Sequence, residues 1–179
     1  MDSENKISKK SRVTHSREFD GDIIITDPSY IIKQQRREDD WILCDCGRKM
    51  EDLGIKNYIT RGTLYGDWRC SVFDEDTNEK IGAFCADAGL VSVFLLDEVL
   101  KYNPDFDYHE ARTWTTTLIK DFKGTVKFVE VHTEGVYTED SKYWHAGDKW
   151  EDDSVQVIGV GINKQTGEPI RFRGMQTGY

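Results

Sequence analysis

Three stretches of this chain set an aspartate beside glycine or proline at the end of an apolar run. They are Gly21-Asp22-Ile23-Ile24-Ile25-Thr26-Asp27-Pro28-Ser29-Tyr30, Leu64-Tyr65-Gly66-Asp67-Trp68 and Cys85-Ala86-Asp87-Ala88-Gly89. A carboxylate at such a corner can do one of two things. It can accept hydrogen bonds from the backbone N–H groups that a turn leaves unpaired, or it can project from the strand end as a ligand for a cation or a polar molecule. Turn chemistry accounts for Asp22 and Asp27 without a ligand. The alternative is a shared rim on which Asp27, Asp67 and Asp87 converge, with Tyr30, Tyr65 and Trp68 beside them.

A second group lies late in the chain: His132, Glu134, Glu139, Asp140, His145, Asp148, Glu151, Asp152 and Asp153. Histidine with carboxylates is the vocabulary of divalent metal sites and of general acid/base catalysis. The chain carries no HExxH, EF-hand loop or paired HxT element, so the simple reading is an exposed acidic loop with surface histidines. His15 and His109 read as surface residues too. A four-thiolate zinc site would need Cys44, Cys46, Cys70 and Cys85, but Cys44-Asp45-Cys46 is a CxC and no second close pair follows.

Aromatics are the third resource. Tyr30, Tyr65, Trp68, Trp114, Tyr137, Tyr143, Trp144 and Trp150 are many for a chain that is 37% hydrophobic. Most should pack the core, as aromatics do in sheets, and a subset in loops, Trp144 among them, can stack on a planar ligand or a protein partner.

These residues need elements to hold them. Ile23, Ile24 and Ile25 do not alternate with polar residues, so their strand, Asp22 to Thr26, is expected to be central and covered on both faces. Tyr30 to Lys33 reads as a second short strand and Glu38 to Leu53 as a helix interrupted at Gly47. Tyr58–Leu64, Trp68–Asp74, Lys80–Ala86 and Leu90–Leu96 are rich in β-branched and aromatic residues and read as an antiparallel meander, with residues 74–79 as a hairpin tip. Leu96 to Tyr102 reads as helix. Arg112–Lys120, Thr125–Thr133, Val155–Asn163 and Pro169–Arg173 read as four more strands, with turns at Phe122-Lys123-Gly124 and Lys164–Gly167, and Glu134 to Asp153 as a long loop. In Thr125–Thr133, Val126 and Phe128 share one face while Val129 and Val131 take the other, which requires either two covered faces or a bulge.

The expected fold is α+β and predominantly antiparallel β: a bent sheet or small open barrel with one or two helices. Residues 1–18 read as a flexible leader and 19–179 as a single β-rich globular domain, a size that supports a substantial core. The leader is locally basic. The chain as a whole has a formal charge of −9, which repels phosphate backbones and argues against duplex nucleic acid as a partner. No apolar run is long enough for a membrane helix, and no signal-peptide pattern precedes the domain, so the expected setting is cytoplasmic with reduced thiols. No glycine-rich phosphate-binding loop is present.

The ordered set "GD…DPSY", "YGDW" and "DAGLV" resembles a loosely defined group of small bacterial and phage proteins that carry GD…DPCY, a YGDG-like element and VDAG or VDSG. The resemblance covers residues 21–96 and rests on three short matches in order. Ser29 stands where the group has cysteine and Trp68 where it has glycine, which weakens any thiol mechanism here. What the resemblance implies is the location of a site at the corners and a bacterial or phage origin.

The resulting expectation is a non-enzymatic binding protein that holds a small ligand, such as a nucleotide-type signal, or a partner protein, in the manner of a phage counter-defence factor. Its ligand-binding residues would be Asp27, Tyr30, Tyr65, Asp67, Trp68, Asp87 and Trp144. The alternative is a metal-assisted hydrolase in which Asp27, Asp67 and Asp87, with His132 or His145, hold a divalent cation that activates water.

Overall fold

A computed structural model describes residues 8–31, 47–63, 68–86, 89–108 and 115–178. Within them eight strands form one antiparallel sheet: β1 (Ser8–Thr26), β2 (Tyr58–Gly62), β3 (Trp68–Asp74), β4 (Lys80–Ala86), β5 (Leu90–Leu95), β6 (Thr116–Val136), β7 (Lys149–Asn163) and β8 (Pro169–Gly178). A 3-10 turn at Pro28–Tyr30 follows β1, and two short helices, α1 (Gly47–Asp52) and α2 (Leu96–Tyr102), complete the described elements. The strand order is β2-β5-β1-β6-β7-β8-β3-β4.

The sheet curls. Thr117 Oγ1 at the start of β6 donates to Ala83 O on β4 at 2.9 Å, so the last strand of the order returns to the middle of the sheet. Gly82 makes this approach possible: a Cβ there would lie 2.5 Å from Thr117 Cγ2. The result is a half-barrel with helices on one side, the bent-sheet α+β architecture expected from the sequence.

β1 is central, between β5 and β6, and the isoleucine run divides as its spacing requires. Ile23 and Ile25 enter the concave core with Phe84, Phe122, Phe128, Val157 and Phe172, while Ile24 enters a second core on the other face with Ile31, Met50, Phe94, Leu96, Val99 and Phe106. Both are buried because curvature closes one face and α1 and α2 lie over the other. Burial of this kind stabilises by roughly 25 cal/mol per Å² of apolar surface, so one strand feeding two cores is a strong organiser.

Several elements depart from expectation for identifiable reasons. Residues 8–18, read as leader, are the outer half of β1, paired with β6 from Ser8↔Glu134 inward with one register shift between Val13 and His15. Their side chains are exposed or half-buried and mostly polar on both faces, so no apolar alternation marks them as strand. The two strands expected on either side of Phe122-Lys123-Gly124 are one 21-residue strand, β6. The irregularity is a bulge and not a turn: Asp121 takes φ +54°, and its N–H donates to Asp22 Oδ1 at 2.8 Å. Gly124 is needed because it faces Gly161, where a Cβ would lie 2.3 Å from Val160 O. Val126, Phe128, Val129 and Val131 are all buried and β6 stays in unbroken register with β7 from Phe122 to Val136, so both faces are covered. The expected meander reduces to the β3–β4 hairpin, because β2 pairs with β5 and β5 with β1. Tyr30 lies in the 3-10 turn, not a strand. Of the expected helix at 38–53, residues 47–52 form α1 and residues 38–46 lie outside the described residues. Among the described residues no helix is long and apolar enough to cross a membrane.

Candidate functional site

Asp27 ends β1 with a fully buried side chain. Its Oδ1 accepts from Ser29 N at 2.8 Å, capping the 3-10 turn, and its Oδ2 accepts from Leu90 N at 3.4 Å. Each carboxylate oxygen therefore holds a backbone N–H. The described flanks of the other two corners meet here: Thr63 N donates to Gly89 O at 2.7 Å, and Gly89 N to Ala86 O at 3.2 Å. Tyr65, Asp67 and Asp87 lie outside the described residues, as does the side chain of Trp68. Tyr30 packs half-buried against the second core.

Trp144 is not part of that rim. Thr26, beside Asp27, pairs with Thr116 at one end of β6, whereas Trp144 belongs to the loop beyond Val136 at the other. Twenty residues of strand separate these ends, on the order of 60 Å of strand length. His132 stands sixteen positions along the same ladder from Thr116, so the structure does not bring Asp27 together with His132 or His145 as the hydrolase alternative requires.

The described chemistry collects instead on an arm made of the outer halves of β1, β6 and β7. The expected loop from Glu134 to Asp153 is shorter than read: Glu134–Val136 belong to β6, Lys149–Asp153 belong to β7, and Tyr137–Asp148 joins them. The register sets His132 opposite Asp153 and Glu134 opposite Glu151, and directly opposed residues share a face. That face continues the concave core outward, from Phe128↔Val157 through Glu130↔Val155 to the two polar pairs. His132 Nδ1 lies 2.5 Å from Asp153 Oδ1, and Nε2 lies 3.4 Å from Glu134 Oε2. These partners, Asp153 first, raise the His132 pKa above the ordinary 6.5.

Next inward, Glu130 accepts from Arg12 Nη2 and Arg61 Nη2, each at 2.8 Å, tying β1 and β2 to the arm. The two guanidiniums hold its carboxyl below the usual carboxylate range. Burial and the nearby Arg61 guanidinium push His15 the other way, below 6.5. A shallow groove of about 360 Å³ runs along Lys10, Ser11, Arg12, Glu130, His132 and Asp153. Sequence reading put His132 at the end of a strand and Glu134, Glu151 and Asp153 in the loop after it. The legible signal was the i, i+2 spacing of each pair on either side of a turn.

The arm ends in an ordered aromatic tip. Tyr137 N donates to Asp148 O (2.9 Å), Gly147 N to Tyr137 O (2.7 Å) and Ser141 N to Trp144 O (2.8 Å). Asp140 Oδ1 accepts from Ala146 N and Asp148 Oδ2 from His145 N, while Gly147 supplies φ +94°. On this frame Tyr137 and Trp144 stack with ring centroids 4.5 Å apart, leaving Trp144 37% and Tyr143 79% exposed. Trp150 is used in packing, its ring resting where Gly135 has no side chain. Comparison with protein-family models, with curated proteins and with solved structures found no match to this chain.

Proposed function

We propose that this chain is a non-enzymatic interaction protein that binds a protein partner through the tip of the β6–β7 arm, with Tyr143 and Trp144 as its anchors. The observation that carries this reading is the exposure of two adjacent aromatics on a loop that is hydrogen-bonded within itself. Adjacent exposed apolar side chains mark interaction sites where isolated ones do not, and aromatic side chains with few rotamers are the usual anchors of protein interfaces. Preorganisation adds to this, since the loop does not have to be ordered on binding.

The acidic balance of the chain favours a protein partner over a nucleic acid. The corner rim supports a small ligand less well, because Asp27 is buried with both oxygens on backbone N–H groups. A hydrolase built on Asp27 and His132 has less support again, for the distance between them. The bacterial or phage setting, and a counter-defence role within it, rest on the three-element resemblance alone.

The test is affinity capture from bacterial extract with immobilised wild-type chain and the Tyr143→Ser/Trp144→Ser double variant. The expected result is a discrete partner retained by the first and reduced about 30-fold or more on the second, as the loss of an interface anchor implies. A partner retained equally by both would remove the tip from the interface.

A further inference from the structure

We propose that the concave face of the arm binds a zinc ion, with His132 Nε2 and the carboxylates of Glu134 and Glu151 as ligands and Asp153 as the residue that orients the histidine. The proposal is independent of the tip, which lies beyond the last of these residues.

The ladder carries the geometry. His132 and Glu134 are two apart on β6, Glu151 and Asp153 two apart on β7, and the register sets them in two directly opposed pairs. All four side chains therefore leave one face of two adjacent strands. One ligand atom from each of His132, Glu134 and Glu151 lies within 4.8 Å of the other two. The observed 3.4 Å between His132 Nε2 and Glu134 Oε2 is already close to the edge of a tetrahedral zinc site, about 3.3 Å for bonds of 2.0–2.1 Å. Glu151 closes the remainder by rotation of its own side chain.

The histidine separates this group from an ordinary acidic patch. Its Nδ1 is taken by Asp153 at 2.5 Å, so in the neutral ring Nδ1 carries the proton and the lone pair sits on Nε2, on the side of the glutamates. A carboxylate behind a ligating imidazole is the usual arrangement that fixes tautomer and orientation in zinc sites. Nitrogen with two carboxylates suits zinc, whereas Mg²⁺ and Ca²⁺ take oxygen ligands.

Charge gives a second line. Glu134 directly opposes Glu151, a like-charge pair that costs stability in a sheet. The two guanidiniums closest along the face are already committed to Glu130. Lys10, opposite His132 on β1 and lining the same groove, competes with a cation and limits its affinity. Three protein ligands leave a fourth position for water or for a group from a partner.

The experiment is calorimetric titration of the reduced, chelator-stripped full chain with zinc chloride at about pH 7.5, since binding requires neutral imidazole. Expected is one zinc per chain, retained in about a 1,000-fold excess of Mg²⁺. His132→Gln and Glu151→Gln each weaken binding at least tenfold, Asp153→Asn weakens it about 10- to 100-fold, and Lys10→Ala strengthens it a few-fold. Thermal melts of the metal-free variants check folding. On the wild type alone, zinc shifts the Nε2 resonance of His132, a readout that needs no variant. Absence of zinc binding, displacement by Mg²⁺, an unshifted Nε2, or equal binding by His132→Gln, which would place the metal on thiols, each overturns the proposal.

Discussion

Gly159 and Phe172 should behave as one unit in folding. They are directly opposed on β7 and β8, and a Cβ built at Gly159 would lie 2.1 Å from Cε1 and 2.2 Å from Cζ of the Phe172 ring. Ordinary contact is about 3.5–4 Å, so the ring would have to retreat by more than an ångström. It has nowhere to go, being fully buried and packed edge-on against Phe122 at 5.8 Å. Gly159→Ala should therefore cost about 2–4 kcal/mol, the sum of overpacking and a disturbed aromatic pair. Phe172→Leu alone should cost about 1–2 kcal/mol in lost packing. In the Phe172→Leu background the clash is gone, and alanine is intrinsically better than glycine in a strand, so Gly159→Ala should cost under about 0.5 kcal/mol. The double-mutant cycle then shows about 2 kcal/mol or more of coupling. Urea unfolding followed by tryptophan fluorescence measures it, with midpoint shifts on the order of 1 M. Additive effects would refute the packing assigned to this pair and with it the tight curl of β7 over β8.

Further outcomes follow from the polar groups. In the metal-free chain His132 should titrate above 6.5 and His15 below it, the first held protonated by Asp153 and Glu134, the second kept neutral by burial and Arg61. The signs differ accordingly: the His132 contribution to stability is present at low pH and lost as pH rises through its folded value, whereas that of His15 is present above 6.5 and lost as pH falls. Imidazole NMR checks both, and Asp153→Asn should bring His132 down; equal midpoints in the wild type would contradict the assignment. Asp27→Ala removes the acceptor for two backbone N–H groups and should cost about 2–3 kcal/mol in urea unfolding, with Asp27→Asn costing less. Burial pushes the Cys70 thiol far above its ordinary range, so brief exposure of the folded chain to N-ethylmaleimide should leave Cys70 unlabelled in peptide maps until urea is added.

The central strand was readable because three consecutive isoleucines admit few alternatives: residues buried on both faces must have both faces covered, and they do. The β3–β4 hairpin and α2 were readable for a similar reason, a local apolar pattern closed by polar turns. The outer half of β1 was not, because its side chains are mostly polar on both faces and only pairing with β6 makes it a strand. Gly124 misled in the opposite direction, since a glycine needed for close approach to Gly161 looks like a glycine needed for a turn. The polar cluster on the arm had the right residues and the wrong setting. His132 and Asp153 are far apart in sequence, and their opposition depends on a hairpin register that no local spacing states. Trp144 was linked to the Asp corners on composition, and the length of β6 separates them.

The claim most in need of measurement is that the aromatic tip is the contact surface. A photoreactive phenylalanine analogue at position 143, compared with the same analogue at exposed Ile81 on β4, tests it in bacterial extract. The expected result is one discrete cross-linked adduct from position 143, lost when Trp144→Ser is added, and none from position 81. Adducts of equal yield from both positions, or none from position 143, would contradict it.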